Sequence, residues 1–237
     1  MKRQLTMACI AALGAMSVAT AVVTQDAAQA KPVALKRVYK AGEKQAYVFD
    51  MTMGDGEGEF QMNGGFVTEV KKAEANGQAE CVIETTKLKM KFAGEEQDAP
   101  ELPKPLTLTF DQFGVPTKMD LGDEANPAIG ALVVAYLPNK AVPLGGTFEI
   151  KWESSDGYKM EGTGKLIATG MLYEEHVAKI ELDAKTTEKD GGEGKLKGTI
   201  YTNTDTGKLV KAEATAEFEF EGEKSTGKMV LAKVRQK

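Results

Sequence analysis

AEATAEFEFEG, residues Ala212 to Gly222, decides the fold class. In an extended chain Ala212, Ala214, Ala216, Phe218 and Phe220 point one way, and Glu213, Glu217, Glu219 and Glu221 the other. Wound into a helix of about 3.6 residues per turn, the same side chains would spread around the circumference and leave no apolar stripe. The stretch is a strand with one buried face.

The same period-two pattern runs through most of the chain. Tyr47, Phe49, Met51 and Met53 hold one phase, as do Phe60, Met62, Phe66 and Val70 across Gly64 and Gly65. Leu106, Leu108 and Phe110 follow, then Phe148, Ile150 and Trp152, then Tyr158, Met160 and Leu166, then Ile180, Leu182 and Ala184, then Leu196 and Ile200. One run changes phase: Cys81 and Ile83 are odd-numbered, Leu88, Met90 and Phe92 even. A β-bulge between Thr85 and Lys87 would reconcile them. GDGEGE, EANGQ, QFGVP, SSDG, KDGGEG, NTDTGK and EGEKSTG punctuate these runs with turn residues. The pattern predicts an all-β protein: a curved antiparallel sheet, or half-barrel, of about ten or eleven strands.

One segment departs from it. In ANPAIGALVVAYLP, Asn126 is a helix cap, Pro127 a first helical residue, and Ile129, Leu132, Val133 and Tyr136 an apolar stripe closed by Pro138. These signals predict one helix over 127–137, covering a face of the sheet. The features before it recur in the same order after it, which predicts a two-fold internal repeat over about 44–121 and 146–220 within a single domain, 31–237.

Residues 1–30 read as a secretory signal peptide. Lys2 and Arg3 precede an apolar run, and Ala28-Gln29-Ala30 is a small-x-small cleavage pattern. Without that leader, 30 basic and 35 acidic residues become 28 and 34, a net charge of about −6. A periplasmic or secreted location is expected, and an acidic exported chain is poorly suited to nucleic acid. Nothing after the leader approaches the ~18 apolar residues of a membrane helix. Cys81 is then the only cysteine, so no internal disulfide is expected and the thiol reads as buried and inert.

Asp205-Thr206-Gly207 spells the catalytic tripeptide of aspartic proteases. Those enzymes need two carboxylates sharing a proton on buried loops. Here polar residues precede the aspartate, Lys208 follows as a cation that would hold it ionised, and no second copy exists. Asp-Thr-Gly is also ordinary turn chemistry, and a hairpin turn is the expectation. His176 is the one histidine of the chain, so clustered His/Cys metal sites and a Ser-His-Asp triad have little to draw on, and no nucleophile motif is present. The protein reads as a non-enzyme without a cofactor. Asp55, Glu57 and Glu59 in GDGEGE form a weak calcium candidate, short of a complete calcium loop. Lys87, Lys89 and Lys91 form a charged face opposite Leu88, Met90 and Phe92, which either deters edge-to-edge aggregation or meets anionic lipid or polysaccharide.

The inward set is rich in methionine (Met51, Met53, Met62, Met90, Met119 and Met160) and in small residues (Ala212, Ala214 and Ala216). Methionine adapts to varied apolar partners. The room above the small residues is either core filled by the helix or a groove for an apolar ligand. The groove would be lined by Met51, Met62, Met90, Ala212, Ala214 and Ala216 on the sheet and by Leu132 and Tyr136 on the helix.

YKAGEKQAYVFDM, FDQFGVPTKM and LPNKAVPLGGTFEIKW resemble elements of a family of uncharacterised exported bacterial proteins, and the architecture is similar to the half-barrel of LolA/LolB-type lipoprotein carriers. That resemblance implies an exported all-β fold and, by analogy, the handling of a lipid or other apolar small molecule. The alternative expectation is a structural or interaction module that binds another envelope protein.

Overall fold

The computed structural model describes residues 31–54, 59–92, 95–119, 136–153, 159–187, 193–220 and 223–234. Twelve strands form one sheet: β1 (Lys44–Gly54), β2 (Glu59–Ala73), β3 (Ala79–Phe92), β4 (Glu95–Asp98), β5 (Leu106–Phe110), β6 (Pro116–Met119), β7 (Thr147–Glu153), β8 (Lys159–Leu172), β9 (Glu175–Thr187), β10 (Glu193–Asn203), β11 (Leu209–Phe220) and β12 (Glu223–Lys233). The spatial order is β6-β5-β3-β2-β1-β12-β11-β10-β9-β8-β7, with β4 on the upper part of β3. All these pairings are antiparallel. Each half of the chain is a meander, and pairing of β1 with β12 fuses the two, leaving β6 and β7 as the free edges.

The alternation predicted from sequence is the alternation observed. Phe148, Ile150 and Trp152 are buried on β7, as are Ala178, Ile180, Leu182 and Ala184 on β9, while their neighbours Glu149, Lys151, Glu181 and Asp183 face water. The predicted phase change in β3 is a bulge at Thr86, where Gly65 pairs with Lys87 but Phe66 with Thr85. A second bulge interrupts β8 between Leu166 and Ala168. Bulges bend and twist a sheet, and this one rolls until its ends meet.

Leu108 and Phe110, near one edge, share a core with Phe148, Ile150 and Trp152 on the other. The indole Nε1 of Trp152 on β7 donates to the carbonyl of Pro116 on β6 at 2.9 Å. Glycines permit this tight inner packing. The far ends of the Phe49 and Phe148 rings reach over Gly64 and Gly164, the residues directly opposite, and a Cβ there would stand 2.8 Å and 2.2 Å from them.

The helix expected over 127–137 falls almost wholly outside the described residues. Residues 120–135 lie outside the described set, and Tyr136 and Leu137 are not helical. Leu137 instead donates its backbone N–H to the carbonyl of Phe113 at 3.0 Å.

One feature that the sequence reading overlooked is an extended strap, Val33–Tyr39, across one end of the rolled sheet. Its inward residues are Val33, Leu35, Arg37 and Tyr39, with Leu35 fully buried. Val33 and Val142 exchange backbone hydrogen bonds at 2.8 and 2.9 Å. The amide of Arg37 donates to Gln112 O at 2.7 Å in the β5–β6 turn, and that of Val38 to Thr206 O at 2.9 Å in the β10–β11 turn.

Candidate site on the inner sheet face

Register places the predicted groove residues. Met90 lies opposite Met62, Met62 opposite Met51, Met51 opposite Met229, Met229 opposite Ala214, and Ala214 opposite Gly198. Four methionines on four adjacent strands thus stand abreast on the inner face, and the row runs on into residues with little or no side chain. Met51, Met62 and Met90 are half-buried, whereas Met229 and Ala214 are buried. In the adjacent row toward the strap, Phe49, Leu231, Ala212 and Ile200 are sealed in the core. In the row on the other side, Met53, Ala216 and Leu196 are again half-buried. Burial therefore fades from the strapped end toward the far end, with the methionine row at the transition.

Of the predicted lining, Met51, Met62, Met90 and Ala214 come together in one row, with Ala212 and Ala216 in the rows on either side. Leu132 lies outside the described residues. Tyr136 is buried but belongs to the strapped end, where its hydroxyl feels Asp111 and Arg37, and burial raises its pKa far above the ordinary value. Met229 was missed, although its alternation with Leu231 in KMVLAK carries the same signal.

At the strapped end Asp205-Thr206-Gly207 is a turn. The side-chain oxygen of Asn203 accepts from the amides of Asp205 (3.0 Å) and Thr206 (2.9 Å) and from the Thr206 hydroxyl (3.0 Å). Asp205 itself is exposed. Gly207 takes φ +63, and a Cβ there would stand 2.3 Å from Lys36 O in the strap. The ammonium of Lys208 pairs with Glu43 rather than with Asp205. The β5–β6 turn is built alike, with an Asp111 carboxylate oxygen accepting from the amides of Phe113 (2.8 Å) and Val115 (2.9 Å).

A cavity of about 50 Å³ lies here, lined by Arg37, Tyr39, Glu43, Tyr47, Cys81 and Lys208 among others. It has room for little more than a water molecule, whose share of liquid volume is about 30 Å³. Burial pushes the Cys81 thiol up to about 11, against the pull of Arg37. It also raises Tyr39, again opposed by Arg37, and raises Tyr47 further. Tyr39 donates to Asp111 O at 3.1 Å and Tyr47 to Leu209 O at 3.3 Å. Neutral, hydrogen-bonded phenols and a protonated thiol make this a structural polar cluster.

The outer face carries a broad open hollow of about 700 Å³, lined by Lys165, Lys197, Lys228, Glu181, Asp183, Glu213 and threonines. Its charges alternate across strands, as in the 3.3 Å pair of Lys197 with Asp183. Exposed pairs of this kind contribute little to stability and keep a wide sheet solvated. Of the calcium candidates, Asp55 and Glu57 lie outside the described residues and Glu59 opens β2. Among the described residues no three His, Cys, Asp or Glu side chains form a metal-binding group, and no helix is long and apolar enough to cross a membrane.

No family model and no curated protein matches the chain. Among solved structures it is similar to a protein inferred to be exported, with a YmcC-like fold, from Bacteroides fragilis NCTC 9343. Identity is 12%, the TM-score is 0.31, and the match covers 85% of this chain and 100% of that one. A likeness that faint carries no information about ligand or activity.

Proposed function

We propose that this is an exported, non-enzymatic binding protein that holds an apolar, lipid-like group against the inner face of its sheet. The observation that carries the reading is the row Met90–Met62–Met51–Met229–Ala214. Thioethers on flexible stems repack around apolar guests of different shape. The row spans four inter-strand spacings, roughly 19 Å, a length suited to an acyl chain. Each methylene moved from water onto such a surface is worth about 0.8 kcal/mol.

Native mass spectrometry of residues 31–237, purified from a bacterial periplasm without detergent, tests it. A discrete added mass that extracts into organic solvent supports a carrier. A clean apo mass, with no uptake of offered fatty acids or phospholipids, overturns it. The Ala214→Trp variant should lose uptake while keeping its strand signature by circular dichroism, because the indole would occupy the row.

A second reading, an envelope interaction module, is favoured by one feature of the outer face. Val48 and Val230 are exposed beside Ala232, which lies opposite Val48, and Val234 is exposed at the end of the same segment. If lipid uptake fails, binding lost on Val48→Lys and Val230→Lys substitution would place a protein partner there.

A further inference from the structure

We propose that the strap Val33–Tyr39 is a releasable clasp that holds the two free edges of the sheet together, so that its undocking opens the interior along the β6–β7 seam. The inference rests on the fold and needs no ligand.

Eleven strands roll into a near-barrel, yet among the described residues no backbone hydrogen bond joins β6 to β7. The polar link across them is one side-chain bond, Trp152 Nε1 to Pro116 O. Backbone ladders fix every other neighbour in the sheet and come apart only with it. The seam needs another constraint, and the strap is placed to supply it. Its Val33 end is bonded to Val142, five residues before β7. Its Arg37 amide is bonded to the turn that leads into β6, with the guanidinium packed against Gly114 of that turn and over the Phe110 ring at 5.9 Å. One short segment thus grips the approach to both free edges.

The strap is also the piece best able to leave. It belongs to no continuous ladder, and its backbone bonds go to three separate elements, Val142, Gln112 and Thr206. The only strap side chain fully sealed in the core is Leu35. Segments held by few buried contacts and scattered hydrogen bonds open locally at a fraction of the global unfolding free energy. When the strap leaves, β5, β9 and their neighbours keep their ladders, while among the described residues β6 and β7 keep the indole bond between them and, on their approaches, the single backbone bond from Leu137 to Phe113.

The chain carries its own reporter, because Trp152 is its single tryptophan and sits on the seam. In the full chain, Leu35→Ala should loosen the strap, seen as lost hydrogen-exchange protection at the Arg37 and Val38 amides. The Trp152 emission should then shift to the red and become readily quenched by acrylamide, while the amides of β9 to β11 stay protected. If the strap amides are freed and Trp152 remains as shielded as in the parent, the clasp is overturned. Should Leu35→Ala unfold the whole sheet, a locked variant decides. Val33 and Val142 form a directly bonded antiparallel pair, whose Cα separation of about 5.5 Å suits a disulfide. In V33C/V142C, with Cys9 also replaced by serine, Trp152 indole N–H exchange should be slower in the oxidised protein than in the reduced one. Equal exchange in the two forms overturns the proposal.

Discussion

Asn203 and Gly207 show what made the aspartate motif a turn. The amide side chain of Asn203 gathers two backbone N–H groups and one hydroxyl, and donates to Glu175 at 3.0 Å. Gly207 then supplies a positive φ in a place where the strap leaves no room for a Cβ. Sequence reading found the turn from residue types alone, but placed Lys208 beside Asp205, whereas its partner is Glu43, 165 positions earlier in the chain. Gly42 makes the comparison that separates strain from contact. It too has a positive φ, +80, but nothing lies within 4 Å of its would-be Cβ. Gly42→Ala should cost about 1 kcal/mol, the strain alone. Gly207→Ala should cost clearly more, since the strap must also shift. Urea denaturation of the two variants measures the difference, and equal costs would show that the strap yields freely. Cys81 gives a pH prediction. Its folded-state pKa, about 11, lies above the ordinary thiol value of about 9, because burial disfavours the thiolate, so the folded protein holds the proton more tightly. Its contribution is fully present below pH 9 and is lost as pH rises through 11, on the order of 3 kcal/mol. In the folded protein at pH 8 the thiol should resist a disulfide reagent that modifies it at once in denaturant.

At the scale of elements, alternation was a sound guide wherever one face is buried and the other wet. It located β1, β2, β7, β9 and β11, and the phase slip in β3 located the bulge at Thr86. It failed where an element is not half of a two-faced strand. The strap has the alternation, in Val33, Leu35 and Tyr39, but it follows directly on the expected leader and its inward set includes an arginine, which hides it from the pattern. β4, EEQD, has no apolar residue and pairs only with the end of β3. The β8–β9 hairpin shows a local rule broken. Leu172 pairs with Glu175, leaving a two-residue loop in which Tyr173 (φ 53) and Glu174 (φ 65) both take positive φ. Such a turn ordinarily ends in glycine. Tyr173 is kept by packing against Leu172, Val177 and Val210. Glu174 is exposed and has no such role. Glu174→Gly should therefore stabilise the protein by about 1 kcal/mol, because the strain it removes exceeds the extra unfolded-state freedom of glycine. A raised midpoint in thermal or urea denaturation checks it.

For the whole molecule, period-two patterning tells which face of a strand is buried but not which strand lies beside it. Nothing local in Tyr47–Gly54 or Thr226–Lys233 announces that they pair across most of the chain length, yet that ladder turns two meanders into one sheet. The predicted repeat would divide the molecule at the same place, so independence of the halves is a direct test of what the fusion does. The core argues against independence. Phe49, Phe66, Ile83 and Leu108 from β1 to β5 pack in one cluster with Ile150, Ile180, Ile200 and Leu231 from β7 to β12, and the strap, in the first half, is bonded to Val142 and Thr206 in the second. Residues 31–120 and 136–237 made separately would each expose an inner apolar face and a long unpaired edge, β1 or β12, a template for aggregation. Neither half should give a cooperative unfolding transition alone. The intact chain should give one, with far-UV circular dichroism and Trp152 fluorescence coincident, as two-state unfolding requires. Mixing the halves during refolding should restore shielded Trp152 emission, since the first half brings both Pro116 and the strap. A cooperative transition in either isolated half would make the β1–β12 ladder an interface between two autonomous units. The methionine row would then be three residues of the first half set against Met229 of the second across that interface.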